Sequence, residues 1–154
     1  MLKAWAGLLL GAALLACTNA SSGDGGILPP GWVRECPGNA FCFSRPAALV
    51  SHRVQGIDSL VGVYSSDAIT LRFDMGAYGQ AMDHLVKPVE QATTVGGRPG
   101  KLLLTDHEAA LVVPKVHEGG RSVTQFTMSL SFKQAASREL AQQIFQSIEF
   151  KPPR

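Results

Sequence analysis

Strict alternation of apolar and polar side chains in two short stretches is the feature that most limits the folds open to this chain. Residues 69–75 read Ile-Thr-Leu-Arg-Phe-Asp-Met, and residues 126–132 read Phe-Thr-Met-Ser-Leu-Ser-Phe. A strand places every second side chain on the same face, so a period of two predicts a strand with one buried and one polar face. Each stretch is therefore a predicted half-buried β-strand.

Weaker extended segments surround these two strands. Residues 60–64 are the predicted hairpin partner of residues 69–75, with Ser65-Ser66-Asp67 as the turn, and residues 49–54 precede them. Further predicted strands are residues 91–95, 101–105 and 109–116, with a break at residues 96–100 and a hairpin turn at residues 118–121. Connections this short favour antiparallel pairing.

The period changes near the C-terminus and predicts one helix between residues 137 and 147. Its apolar positions are Leu140, Ala141, Ile144, Phe145 and Ile148, which share one helical face. Ser137 is a suitable N-cap, Glu139 suits the first turn, and residues 148–150 return as a short strand. The predicted fold class is α+β: an antiparallel meander sheet of about six or seven strands with a C-terminal helix packed on one face.

Such a sheet is wider than one helix can cover. A helix is about 10 Å across and strands lie about 4.8 Å apart, so one helix covers two or three strands. The predicted second cover is the connection of residues 76–89, where Tyr78, Met82 and Leu85 recur at helical spacing. The alternative is that Tyr78 and Met82 form a partner-binding surface, since long connections and exposed aromatic or methionine side chains often serve binding.

Three parts of the folded region resemble the PsbP/Mog1-like domains: residues 60–73, the glycine-rich break at 96–100 before a strand, and residues 141–150. The resemblance covers most of residues 41–150. It implies an α/β/α sandwich around an antiparallel sheet, in a family with several bacterial lipoproteins. It also implies an accessory or binding role without catalysis.

The N-terminus contains a predicted targeting signal. Lys3 precedes an apolar run over residues 4–16, which is typical of a secretory signal and too short to span a bilayer. The run ends in Leu14-Leu15-Ala16-Cys17, which resembles the lipobox of bacterial lipoproteins. That resemblance implies cleavage before Cys17, acylation of Cys17 with chains such as palmitate, and attachment to a membrane of the cell envelope. Thr18 in the next position favours the periplasmic side of the outer membrane in a Gram-negative cell.

Cleavage there divides the chain into three regions. Residues 1–16 are the predicted signal peptide, residues 17–30 a Ser- and Gly-rich flexible tether, and residues 31–154 one globular domain. The full chain has a formal charge of +2 and no cluster of basic residues, which argues against binding to nucleic acid.

The remaining cysteines, Cys36 and Cys42, enclose a Pro-Gly-Asn turn. An oxidising compartment favours a disulfide between them, which closes a short loop and contributes about 2 kcal/mol in the chain-entropy model. The alternative is a redox-active pair, but the spacing is not the C-x-x-C of thioredoxin-like proteins.

No motif for catalysis, a cofactor or a metal stands out. Residues 96–102 superficially suggest a phosphate loop, but Leu102 occupies the position of the Ser or Thr that would hold Mg²⁺. The adjacent Asp106, His107 and Glu108 suggest a metal site, although neighbours in a tight turn point in different directions.

The sequence therefore favours a membrane-tethered, non-catalytic module that binds an unknown protein or envelope component, and the lipid bilayer through Cys17. One alternative is a periplasmic immunity lipoprotein that protects against a toxin. Another is a hydrolase that uses Asp67 and Asp74 as paired carboxylates.

Replacing Cys17 with Ser tests the predicted anchor. The hydroxyl is not the lipid acceptor that the lipobox resemblance implies. Cys17→Ser should abolish labelling by a radioactive or alkyne fatty acid and leave uncleaved precursor on a gel. A mutant that keeps its normal mature mass and still partitions into detergent would show that Cys17 is not the acceptor.

Overall fold

The computed structural model of the 154-residue chain describes residues 28–117, 124–134 and 137–152. The first strands are β1 (Trp32–Glu35), β2 (Phe41–Pro46), β3 (Val50–His52), β4 (Leu60–Ser65) and β5 (Ile69–Gly76). They are followed by β6 (Val89–Val95), β7 (Arg98–Leu104), β8 (Glu108–Val113) and β9 (Gln125–Phe132). Helix α1 (Ser137–Gln146) and strand β10 (Glu149–Phe150) end the described fold.

Seven strands form the main sheet in the order β3-β4-β5-β9-β8-β7-β6, with every neighbouring pair antiparallel. The two alternating stretches, β5 and β9, lie side by side at its centre, where Leu71 pairs with Leu130. Their apolar side chains point to one face and are buried, or partly buried for Ile69, as the period of two predicted. The α+β class and the sheet-dominated fold with one C-terminal helix are therefore confirmed. In β9 the polar Thr127 and Ser129 are buried too, so the prediction of a half-buried strand is wrong for β9.

The chain leaves the centre of this sheet after β5 and re-enters at its far edge as β6. Residues 77–88, here named the crossing segment, run over the polar face, where the backbone N–H of Gln80 donates to Oγ1 of Thr127 over 3.2 Å. The crossing segment contains no helix, and the Tyr78 side chain is 84% exposed. The segment lies on the polar face, so the prediction that this connection covers the apolar face is wrong. Its apolar residues recur at helical spacing, but they do not form a helix.

The apolar face is instead covered by a second, three-stranded sheet in the order β1-β2-β10. From it, the fully buried rings of Phe41 and Phe43 reach the main sheet. Phe41 packs edge-on against Phe73 of β5 and Phe126 of β9, with ring centroids 5.0 and 4.8 Å apart. Phe43 packs against Tyr64 of β4 at 5.7 Å. Strands β1 and β2 are absent from the sequence-based prediction.

Helix α1 follows the sequence prediction and supplies the other cover. It buries Ala141, Ile144 and Phe145 and packs on β8, β9 and β2. Its C-terminal end is joined to β2 because the backbone N–H of Ser44 donates to Oγ of Ser147 over 2.8 Å. The predicted short strand after the helix is β10.

The turn between β6 and β7 is tighter than predicted. Gly96 and Gly97 have φ angles of 54° and 74°, so two residues suffice for a hairpin turn with both positions left-handed. Arg98, Pro99 and Gly100 already belong to β7. The break predicted over residues 96–100 is thus confined to two glycines, and the turn predicted at residues 118–121 lies outside the described residues.

Shortening Ile144 tests the packing of α1. The side chain is fully buried, so Ile144→Ala removes apolar contacts and leaves a cavity. We expect the free energy of unfolding to fall by about 2–5 kcal/mol, measured by denaturant titration. The control is Gln143→Ala on the exposed face of the same helix. This substitution should change the free energy of unfolding by less than about 0.5 kcal/mol. Equal midpoints for both variants would contradict this packing.

Candidate functional site

The disulfide predicted from sequence is present between Cys36 and Cys42, whose Cα atoms lie 4.1 Å apart. It encloses a single 3-10 turn over Pro37–Asn39, in which Gly38 and Asn39 both have positive φ. Cys42 is a buried residue of β2. This arrangement turns the chain sharply so that β1 and β2 can pair, which is a structural role.

A charged cluster next to this loop connects the two sheets. Nη1 of Arg45 donates to the carbonyl oxygen of Leu49 over 2.5 Å, and Nη2 of Arg45 pairs with Glu35. The guanidinium lies 4.6 Å from the ring centroid of Tyr64 on β4, a cation–π contact. Burial raises the pKa of the Tyr64 phenol above its ordinary value, and the negative charge of Glu35 raises it further. These contacts are all internal to the protein, so the cluster stabilises the fold; within it only the buried Nε of Arg45 has no hydrogen-bond partner.

A polar pocket lies on the outer face of the main sheet, under the crossing segment. Nε2 of His84 is 3.2 Å from Oε1 of Glu108. The other lining residues are Thr70, Arg72, Gln80, Ser129 and Ser131. Within the part of the chain described, no hydrogen bond connects either serine to His84, so the pocket shows no nucleophile activated by a base. Its side chains can bind polar groups.

The residues predicted as chemical candidates do not converge. Asp67 sits in the β4–β5 turn, whereas Asp74 pairs with Thr127 near the other end of β5. At about 3.3 Å per residue the two carboxylates are separated by about 17 Å of strand. Asp106 and His107 are exposed in the β7–β8 turn. Across residues 28–117, 124–134 and 137–152, no cluster of three or more His, Cys, Asp or Glu residues could hold a metal ion.

Tyr78 and Met82, the predicted partner-binding pair, occupy different environments. Tyr78 projects into solvent, whereas Met82 is half-buried and its carbonyl oxygen accepts a hydrogen bond from the Leu85 N–H. Val86 and Val89, which line one hollow beside β6, are also exposed, at 80% and 60%. Tyr78 remains a candidate contact residue, and Met82 serves partly to fold the crossing segment.

A groove that the sequence did not predict lies between edge strand β6 and helix α1; we name it the β6–α1 groove. Its central cavity has a volume of about 190 Å³ and an apolar floor that includes Leu102, Leu111 and Phe145. Amide side chains of Gln91 on the strand and Gln142 on the helix form its walls. The groove continues past Gln91 to a second hollow, lined by Val86, Lys87, Val89, Leu104, Thr105, Asp106 and Arg138.

The chain matches no family model, no curated protein and no solved structure. Among the residues that the structure describes, no helix is both long and apolar enough to cross a membrane. Cys17 and the predicted signal peptide lie outside those residues.

Mass spectrometry tests the disulfide in the purified protein. Oxidation removes two hydrogens, so the intact mass should be about 2 Da below that of the dithiol form. A thiol probe should label Cys36 and Cys42 only after unfolding and reduction. Full labelling of both residues without reductant would show that they are free.

Proposed function

We propose that this protein is a lipid-anchored, non-catalytic binding module of the cell envelope, and that it contacts another protein through the crossing segment and strand β6. The observation that carries the proposal is the position of Tyr78, Val86 and Val89. These three large, exposed side chains lie within twelve residues and lead onto the open edge of the main sheet. Large apolar side chains that are exposed close together, as Val86 and Val89 are where they line one hollow, mark interaction sites.

The crossing segment is held in place, which favours a binding role. The backbone N–H of Gln80 is hydrogen-bonded to the sheet, and the His84 side chain contacts Glu108. A backbone hydrogen bond between Met82 and Leu85 forms a turn. A surface that is already ordered loses less conformational entropy when a partner binds. Tyr78 is therefore presented to solvent from a fixed support.

The proposed anchor complements this surface. Acylated Cys17 would attach the protein to the membrane, since two or more acyl chains give stable binding. A Gly- and Ser-rich tether of about 12 residues spans roughly 20 Å, so the domain would stay near the bilayer and rotate freely. An immunity lipoprotein is the version of this function in which the bound protein is a toxin.

Paired aspartate substitutions test the binding surface in the full chain. Chemical cross-linking in native membranes should join the wild-type protein to a partner at a fixed mass. Val86→Asp places a charge in the exposed apolar surface and should reduce that product by about tenfold, since a desolvated charge costs more than 1.4 kcal/mol. Ile57→Asp is the matched control, because Ile57 is fully exposed in the β3–β4 connection.

The two variants must melt at the wild-type temperature for the comparison to hold, which exposed positions permit. Equal loss of the cross-linked product in both variants, or in neither, would contradict the proposed surface. Tyr78→Ala then measures whether the predicted tyrosine contributes to the same contact.

A further inference from the structure

We propose that the β6–α1 groove binds the C-terminal segment of a partner protein as an added antiparallel strand, with the partner's terminal carboxylate at Arg138 and Lys87. This inference builds on the proposed binding function and names the class of partner. It rests on three features of the groove: a free strand edge, a cavity for alternate side chains, and a basic end.

The free edge follows from the geometry of the β6–β7 hairpin. A two-residue turn is flanked by a hydrogen-bonded pair, here Val95 and Arg98. Bonded and non-bonded pairs alternate along an antiparallel ladder. The backbone N–H and C=O groups of Glu90, Ala92 and Thr94 therefore point away from β7. Among the described residues no strand pairs with that side of β6.

Strand β6 lacks the usual protection of a sheet edge. Natural edges are commonly short, interrupted by proline or rich in lysine, because open edges attract other strands. Edge strand β3, at the opposite side, is only three residues long. By contrast, β6 has seven residues without proline or lysine, and its single charge, Glu90, is paired with Lys101 at 3.3 Å.

The groove would receive every second side chain of an added strand, because side chains alternate between the two faces. Those facing α1 would lie beside Gln91 and Thr93 of β6 at the mouth of the cavity of about 190 Å³, from which a long side chain extends inward towards Leu102 and Phe145. An apolar cavity of about 150 Å³ is known to hold a benzene-sized group. A branched aliphatic or aromatic side chain therefore fits, with Gln142 and Gln146 on the helix side available to the backbone of the ligand.

The basic end sets the direction and the terminal group. A strand antiparallel to β6 runs from Val95 towards Val89, so its C-terminus arrives beside Lys87 and Arg138. Arg138 donates from Nη2 to the Thr105 carbonyl over 3.0 Å, and its buried Nε has no partner. Asp106 also lines this end, which leaves one net positive charge. A carboxylate there would gain charge-assisted hydrogen bonds.

A peptide library tests the proposal on the full chain purified in detergent. The probes are displayed random heptapeptides with free C-termini, and the enriched sequence is then synthesised as the free acid and as the C-terminal amide. We expect apolar side chains to be enriched at alternate positions. The free acid should bind at least about tenfold more tightly than the amide, because a charged hydrogen bond contributes more than 1.4 kcal/mol.

Two variants locate the bound peptide. Ala92→Pro removes an outward N–H and should abolish binding, while the β6–β7 hydrogen bonds remain. Lys87→Glu should weaken binding of the free-acid peptide by about tenfold. The matched control is Lys133→Glu, an equal charge change at an exposed position away from the groove, which should weaken that binding by less than about twofold. If Ala92→Pro melts early, Lys87→Glu still decides the comparison.

The remaining outcomes contradict the proposal in different ways. Equal binding of acid and amide excludes the terminal carboxylate, and binding that survives both variants excludes the groove. No enrichment, or enrichment that is identical on Ala92→Pro, excludes strand addition. If the cross-linked partner remains sensitive to Val86→Asp in that case, the binding function stands and only the peptide class is wrong.

Discussion

The packing of Phe41 and Phe43 against the main sheet is the interaction on which the rest of the structure depends. Seven strands at about 4.8 Å spacing span about 30 Å, whereas a helix covers about 10 Å. Helix α1 covers β8 and β9, and the two phenylalanines cover β4, β5 and part of β9. The apolar face of β6 and β7 is only partly covered by the helix and by the small sheet. The β6–α1 groove is therefore a consequence of how this face is covered, and its floor belongs to the main core.

The second cover depends on local cross-links because its strands do not pair with the main sheet. The disulfide between Cys36 and Cys42 fixes the turn before β2, and the ion pair of Arg45 with Glu35 joins β1 to β2. Ser147 then ties the end of α1 to Ser44. Removing Glu35 would leave the buried guanidinium of Arg45 without its carboxylate partner, which costs more than the pair gains. The small sheet is thus positioned as a unit with the helix.

The sequence predicted the elements whose side chains alternate with a clear period, and failed where burial removes that period. Strands β5 and β9 have one polar and one apolar face, and α1 has one apolar stripe. In β2 the five residues from Phe41 to Arg45 are all buried, so Ser44 and Arg45 interrupt the apolar pattern although both are inside. Tyr78, Met82 and Leu85 have helical spacing by coincidence. The groove could not be predicted, because β6 and α1 are separated by more than forty residues of sequence.

The topology also separates the proposed membrane attachment from the groove. The described chain enters beside the connection between β2 and β3, where the carbonyl oxygen of Gly31 accepts a hydrogen bond from the Ala47 N–H over 2.8 Å. Strand β3 is one edge of the main sheet and β6 is the other. A tether that leaves from Gly31 therefore starts at the side of the domain opposite to β6. An anchor at Cys17 would leave the open edge, Val86 and Lys87 accessible to a partner in the envelope, because the sheet's width of about 30 Å lies between them.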